Sequence, residues 1–132
     1  MSGPFSSLSV PASGMTTMKT WIDAIAHNVA NVNDITSTAE PGFQTKTVVA
    51  RSVPETGGVR VASIRSNTEP GEMVYMPDHP LADQDGMVRR SNVDLADQMT
   101  SLIVAQRAYQ ANVTVFERAR DSYLRALEIG KI

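Results

Sequence analysis

The sequence predicts an α+β fold in which two terminal helices flank a small β-rich insert. Apolar residues recur with helical spacing near both ends of the chain, whereas the middle holds five of the seven prolines and five of the eight glycines. Proline and glycine interrupt helices and favour turns. The chain therefore divides into an N-terminal interface helix (1–33), a β-rich insert with a proline-containing acidic loop (34–91), and a long C-terminal interface helix (92–132).

The N-terminal helix is predicted by an apolar seam whose steps alternate between three and four residues. Gly14 precedes the most regular stretch and Pro11 lies upstream, so the firm part of the helix should begin near Ser13. Asparagine suits helix C-termini, and the helix should stop near residues 31–33. The seam consists of Leu8, Met15, Met18, Ile22, Ile25, Val29 and Val32.

Short strands are predicted in the insert because β-branched residues alternate there with polar ones between turn signals. A turn is expected at residues 54–58, and Asp85-Gly86 is a strong turn dipeptide that closes the acidic loop. The sequence does not indicate how the strands pair. The predicted strands are residues 45–53, 58–64, 73–76 and 87–90.

The C-terminal helix is predicted to be long, because no proline or glycine follows Val93 until Gly130. Ser91 or Asn92 can cap its start, and Asp94 places negative charge where the helix dipole favours it. At ~1.5 Å per residue the helix would be about 55 Å long. Its seam consists of Leu95, Met99, Leu102, Gln106, Tyr109, Val113, Phe116, Arg120, Tyr123 and Leu127.

Two polar residues, Gln106 and Arg120, interrupt this seam two heptads apart. They lie either where the apolar stripe drifts towards solvent or where a buried polar side chain fixes register against a partner.

The two helices differ in length by about 25 Å. If they run antiparallel with the chain ends together, the N-terminal helix should cover the last part of the C-terminal one, near Val113, Phe116, Tyr123 and Leu127. Residues 95–102 would then remain for the insert or for neighbouring subunits to bury.

Composition argues against several functions. Acidic and basic residues balance along the chain, with a formal net charge of −2, so no basic face is expected for nucleic acid or for an anionic membrane. The absence of cysteine excludes disulfides, zinc-thiolate sites and thiol catalysis. Residues 1–20 lack the features of a cleaved secretory leader or a membrane span.

The two histidines are the best candidates for catalysis, and neither has suitable companions. His27 follows Asp23 by four residues, so the two can share a helix face, but no nucleophile or phosphate loop accompanies them. His79 precedes Asp83 and Asp85, and this spacing does not match a calcium loop. We therefore expect no catalytic residues, no metal site and no cofactor.

Several motifs resemble those of bacterial flagellar rod and hook proteins. Ala12-Ser13-Gly14-Met15 followed by Asn28-Val29-Ala30-Asn31 resembles their N-terminal signature. The stretch from Val74 to Asp83, together with later motifs up to Val113, looks like a proximal-rod protein of this family. The motif residues are Ser13, Gly14, Met15, Asn28, Ala30, Asn31, Pro77, His79, Pro80, Gly86, Asn92, Val93, Asp94, Arg107, Tyr109, Ala111 and Asn112.

The resemblance implies a structural role. In such proteins the terminal helices pair as a coiled coil, here expected to be antiparallel, in the inner layer of a helical tube, and the middle forms an outer domain. It implies export through the flagellar type III apparatus without a cleaved leader, assembly in the periplasmic rod, and contacts with other copies and other rod proteins. A small binding module or export adaptor that holds one partner through the C-terminal helix is the alternative.

Overall fold

The computed structural model describes residues 6–131, so the first five residues of the predicted segment 1–33 and Ile132 lie outside the described residues. Across residues 6–131 the chain forms two long helices and five strands, which confirms the α+β class. The elements are α1 (Ser6–Ala30), β1 (Ile35–Thr36), β2 (Lys46–Val53), β3 (Gly58–Ser66), β4 (Met73–Tyr75), β5 (Met87–Arg90) and α2 (Leu95–Ile129).

Helix α1 begins earlier than its sequence predicts. It is already helical at Ser6 and includes Pro11, whereas a start near Ser13 was expected. Pro11 is buried. Tertiary packing therefore stabilises the first turns of α1, which helix propensity alone would not keep folded. The predicted end is confirmed, because the helix stops at Ala30 and the Asn31 side chain donates to the carbonyl of His27 (2.8 Å).

The strands form two small antiparallel sheets. In one, β2 pairs with β3 to form a hairpin of residues 46–66, with a register irregularity between Val49 and Ala50. In the other, β5 lies between β1 and β4. The four predicted strands are confirmed to within two residues at each end, whereas the two-residue strand β1 was not predicted.

Helix α2 has a different cap from the two that the sequence suggested. Asp94 is the N-cap, and its Oδ1 accepts hydrogen bonds from the backbone of Ala96 (2.8 Å) and Asp97 (3.1 Å). Asn92 is instead hydrogen-bonded to the insert, so the helix starts after it.

The two helices run in opposite directions. Gly14 lies against Asn112, and Asn28 is hydrogen-bonded to Gln98, so α1 advances 14 residues while α2 goes back by the same number. Helix α1 therefore reaches the beginning of α2. The expectation that it would cover only the later part of α2 is wrong, because α1 is longer than expected and is in register with the start of α2.

The core is small and lies where α1, α2 and the hairpin meet, with a second centre in the three-stranded sheet. No helix among residues 6–131 is both long and apolar enough to cross a membrane. Apart from proline and glycine, the buried apolar residues are Ala24, Ile25, Val88 and Ala105, and the buried polar residues are Thr17 and Asn28.

Candidate assembly surface

The deepest face of α1 is rotated by about one position from its predicted seam. Ile25 is the seam member that is fully buried, while the other described members are half-buried. Small and polar side chains allow the backbone of α1 to approach both α2 and the hairpin closely, which large seam residues would prevent. The buried positions are Pro11, Gly14, Thr17, Ala24, Ile25 and Asn28.

The predicted seam of α2 is divided in a similar way. Ala105, which is 0% exposed and was not predicted, is the most deeply buried residue of this helix. Gln106 and Arg120 are exposed, and Arg120 pairs with Asp121 (3.1 Å). Both side chains are therefore open to solvent within one subunit, and a role in fixing register against a partner stays a prediction. Leu102, Tyr109, Val113, Phe116 and Tyr123 are half-buried, whereas Leu95, Met99 and Leu127 are exposed.

Asn28 joins three elements at one point. Its Nδ2 donates to the backbone carbonyl of Lys46 (2.8 Å) and to Oε1 of Gln98 (2.8 Å), and its Oδ1 accepts from the backbone N–H of Lys46 (2.8 Å). The side chain is 1% exposed. A buried amide is tolerated only when it is bonded in this way, so Asn28 fixes α1, β2 and α2 relative to one another.

Ser13 joins α1 to the tip of the hairpin. Its hydroxyl donates to the carbonyl of Val10 (2.7 Å) and accepts from the backbone N–H of Val59 (3.0 Å). The approach is close, because a Cβ built at Gly58 would lie 2.7 Å from the Ser13 hydroxyl oxygen. This close approach is possible because a small hydroxyl residue lies opposite a glycine.

Gly14 and Asn112 form the closest approach of the two helices. A Cβ at Gly14 would lie 2.7 Å from Oδ1 of Asn112. The Asn112 amide also donates to the carbonyl of Ala108 (2.9 Å), which holds it in place. The two family-motif residues are therefore complementary in shape.

Asn92 ties the start of α2 to two segments of the insert. Its Oδ1 accepts from the backbone N–H and the hydroxyl of Thr45 (both 2.8 Å), and its Nδ2 donates to the carbonyl of Glu69 (2.9 Å). Its own N–H donates to the carbonyl of Phe43 (3.1 Å). These bonds explain why the helix begins after Asn92.

The acidic loop is organised around Asp83. Its Oδ1 accepts from the backbone N–H groups of Asp85 (3.0 Å) and Met87 (2.9 Å), and its Oδ2 accepts from the Thr38 hydroxyl (2.9 Å). The Met87 N–H, followed by the Thr38 hydroxyl, lowers the pKa of Asp83 below its ordinary value. Gly86 closes the turn at φ +76°, a conformation that glycine adopts readily.

Both histidines occupy structural positions. His79 Nδ1 accepts from the N–H of Leu81 (3.1 Å) within the loop. The ring of His27 lies edge-on to Phe43 with 5.4 Å between centroids, while Asp23 pairs with Lys19 (3.2 Å). Among residues 6–131, no group of three or more His, Asp or Glu side chains is placed to hold a metal ion.

The remaining motif residues do not share one surface. Met15 and Tyr109 are half-buried and line a shallow groove between the helices. Val93 is also half-buried. The motif residues that are exposed in one subunit are Ala30, Pro77, Pro80, Asp94, Arg107 and Ala111.

Two apolar ridges remain uncovered on α2. Leu95, Met99 and Ile103 recur every four residues along one ridge, and Ile103 is 52% exposed. Val104 (51% exposed) and Val115, separated by about three helical turns, belong to the other. By helical geometry the ridges lie on opposite sides of the line that contacts α1. Ile103, Val104 and Val115 were not predicted from the sequence, although an apolar content wider than one seam was a signal for them.

A helical pair with two bare apolar ridges, in a fold without a clustered chemical site among the described residues, is typical of a subunit that associates with neighbours. Comparison with known families agrees. A family model described as the C-terminal part of flagellar basal body rod proteins FlgE, FlgF and FlgG matches residues 84–129, which include all of α2.

More complete relatives identify the family within this class. The FlgC basal-body rod protein of Yersinia enterocolitica is 36% identical, covering 92% of this chain and 94% of the relative. Those of Borreliella burgdorferi and Bacillus subtilis are 34% and 30% identical and cover 96% of this chain. The chain belongs to the FlgC family of flagellar basal-body rod proteins.

Proposed function

We propose that this chain is a structural subunit of the flagellar basal-body rod, held in place by the two apolar ridges of α2. The observation that carries this proposal is that α1 covers one face of α2 and leaves a ridge on each side of it. A helix with this arrangement can bury both ridges only between neighbouring subunits.

The proposed assembly is a helical tube that transmits torque. Contacts between different surfaces of successive copies generate open filaments rather than closed rings. The terminal segments 1–33 and 92–132 pack as an antiparallel coiled coil in the inner layer, and the insert 34–91 lies outside. The opposite direction of α1 and α2 supports this arrangement, and the role is mechanical rather than catalytic.

The proposed partners are other copies of the chain, other flagellar rod proteins and the flagellar type III export apparatus. In this proposal the subunit reaches the periplasmic rod without a cleaved signal peptide. Nucleic acid and membrane insertion play no part, and no cofactor is required.

The test is a pair of substitutions on one ridge. Met99→Lys with Ile103→Lys should prevent the chain from entering isolated basal bodies and abolish motility, because each charge would lie in a buried contact. Met99→Leu with Ile103→Leu keeps the ridge apolar and is the matched control. Normal rods in the lysine variant would contradict the proposed role of α2.

A further inference from the structure

The insert separates its charges into two surfaces. The hairpin (46–66) contains Lys46, Arg51, Arg60 and Arg65 against a single acid, Glu55. Residues 67–86, here called the acidic segment, contain no Lys or Arg. All of its acids are exposed: Glu69, Glu72, Asp78, Asp83 and Asp85.

Three arginines share one face of the hairpin. Arg51 is paired directly with Arg60, and Arg65 with Thr47, and the register places all three on the same side despite the irregularity at Val49/Ala50. All three side chains are exposed. The expectation that the chain has no basic face is therefore wrong, because balanced totals hid charges that the hairpin gathers together.

Among residues 6–131 none of these arginines forms an ion pair, although Arg65 lines a cleft that also contains Asp94 and Asp97. Within residues 6–131 the ion pairs join Lys19 to Asp23 and Arg120 to Asp121. Like charges directly opposite each other on antiparallel strands destabilise the pairing. Arg51 and Arg60 therefore weaken the isolated hairpin, and a carboxylate from outside the subunit would relieve their repulsion.

We propose that the arginine face of the hairpin binds the acidic segment of a second copy of this chain. The inference rests on the proposed function, since a rod requires contacts between unlike surfaces of successive copies. Complementary charges that are not paired among residues 6–131 would set the orientation and register of that contact. The insert thereby contributes a polar contact between copies, separate from the apolar ridges of α2.

The test mixes full-length chains with reversed charges and follows association by light scattering at low salt. Arg51→Glu with Arg60→Glu makes the hairpin acidic, and Glu69→Lys, Glu72→Lys and Asp78→Lys make the acidic segment basic. Each variant alone should need a roughly tenfold higher concentration to associate, because several surface ion pairs are lost together. An equimolar mixture should return to within about twofold of the wild-type concentration.

The control is Arg51→Lys with Arg60→Lys, which keeps the charge and should associate like the wild type. The Arg51→Glu, Arg60→Glu variant, here called the double reversal, still has a like-charged pair across the strands, so hairpin stability should change little. The single Arg51→Glu variant should make the hairpin melt at a higher temperature while still weakening association, which separates folding from contact.

Three results would overturn the inference. They are a double reversal that associates normally, a weakened variant that the complementary variant does not rescue, and a wild-type chain that remains monomeric at low salt. The second result would assign the arginine face to a different acidic partner. If the chain is found in isolated basal bodies while the charge variants assemble normally, the inference fails and the proposed function stands. Absence of the wild-type chain from basal bodies would instead remove the proposed function.

Discussion

Asn28 and Gln98 join the end of α1 to the beginning of α2 through a 2.8 Å hydrogen bond between their side-chain amides. The same Asn28 side chain holds the backbone of Lys46 through one donated and one accepted bond. The buried Asn28 side chain thus fixes both the register between α1 and α2 and the position of the hairpin against them.

Asn28→Ala should lower the free energy of unfolding by roughly 2–3 kcal/mol, because it leaves buried polar groups without partners. Urea denaturation of the purified chain measures this. Asn31→Ala is the matched control, since its side chain makes a helix-end bond to His27 and its removal should cost less than about 1 kcal/mol. Equal losses of unfolding free energy in the two variants would show that Asn28 does not hold the three elements together.

Substitutions at Gly14 and Asn112 should have strongly coupled effects on the free energy of unfolding. Gly14→Ala gains helix propensity of about 1 kcal/mol, but the new Cβ would displace the Asn112 amide. In the wild type the gain should be cancelled or reversed, whereas in an Asn112→Ala background it should appear in full. A double-mutant cycle by urea denaturation checks this, and additive effects would contradict the close approach.

The acidic loop should open at low pH. The pKa of Asp83 is lowered from 3.8 by the Met87 N–H and the Thr38 hydroxyl. Its carboxylate therefore stabilises the folded loop above pH 3.8, and this stability is lost as the pH falls below that value. The protection factors of the Asp85 and Met87 amides, which compare each exchange rate with the intrinsic rate at the same pH, should fall there.

Asp83→Asn should show these lower protection factors already at neutral pH. Asp85→Asn removes a nearby exposed carboxylate and serves as the control. Protection factors in the Asp83 variant that equal those of the wild type at neutral pH would show that the loop does not depend on this carboxylate.

Substitutions at buried positions should reduce stability and motility more than substitutions of the histidines. Ile25→Asp places a charge at a site that is 2% exposed, which should cost several kcal/mol and abolish motility. The His27→Ala, His79→Ala double variant should remain motile, because these side chains make a ring contact and a turn hydrogen bond. A non-motile double variant whose folding is intact would point to a chemical role for one of the histidines.

Sequence patterns located the elements more reliably than the surfaces they use. Strand β5 was predicted at residues 87–90, where it is found, because alternation and turn residues act over short distances. The buried face of α1 was misplaced by about one position, because hydrophobicity alone favoured Met15 and Met18 over Gly14 and Thr17. The assembly roles of the seam and motif residues remain predictions.

The sequence by itself determined the division into helix, strand-rich insert and long helix, and its motifs indicated the family. These features depend on helix and turn preferences that nearby residues encode. Only the tertiary structure decided that Asn28 and Asn92 hydrogen-bond distant elements together. It also decided that α1 is in register with the start of α2 and that Arg51 and Arg60 lie side by side. Such relationships join residues distant in the chain, and the packing of backbones and the pairing of buried polar groups select them.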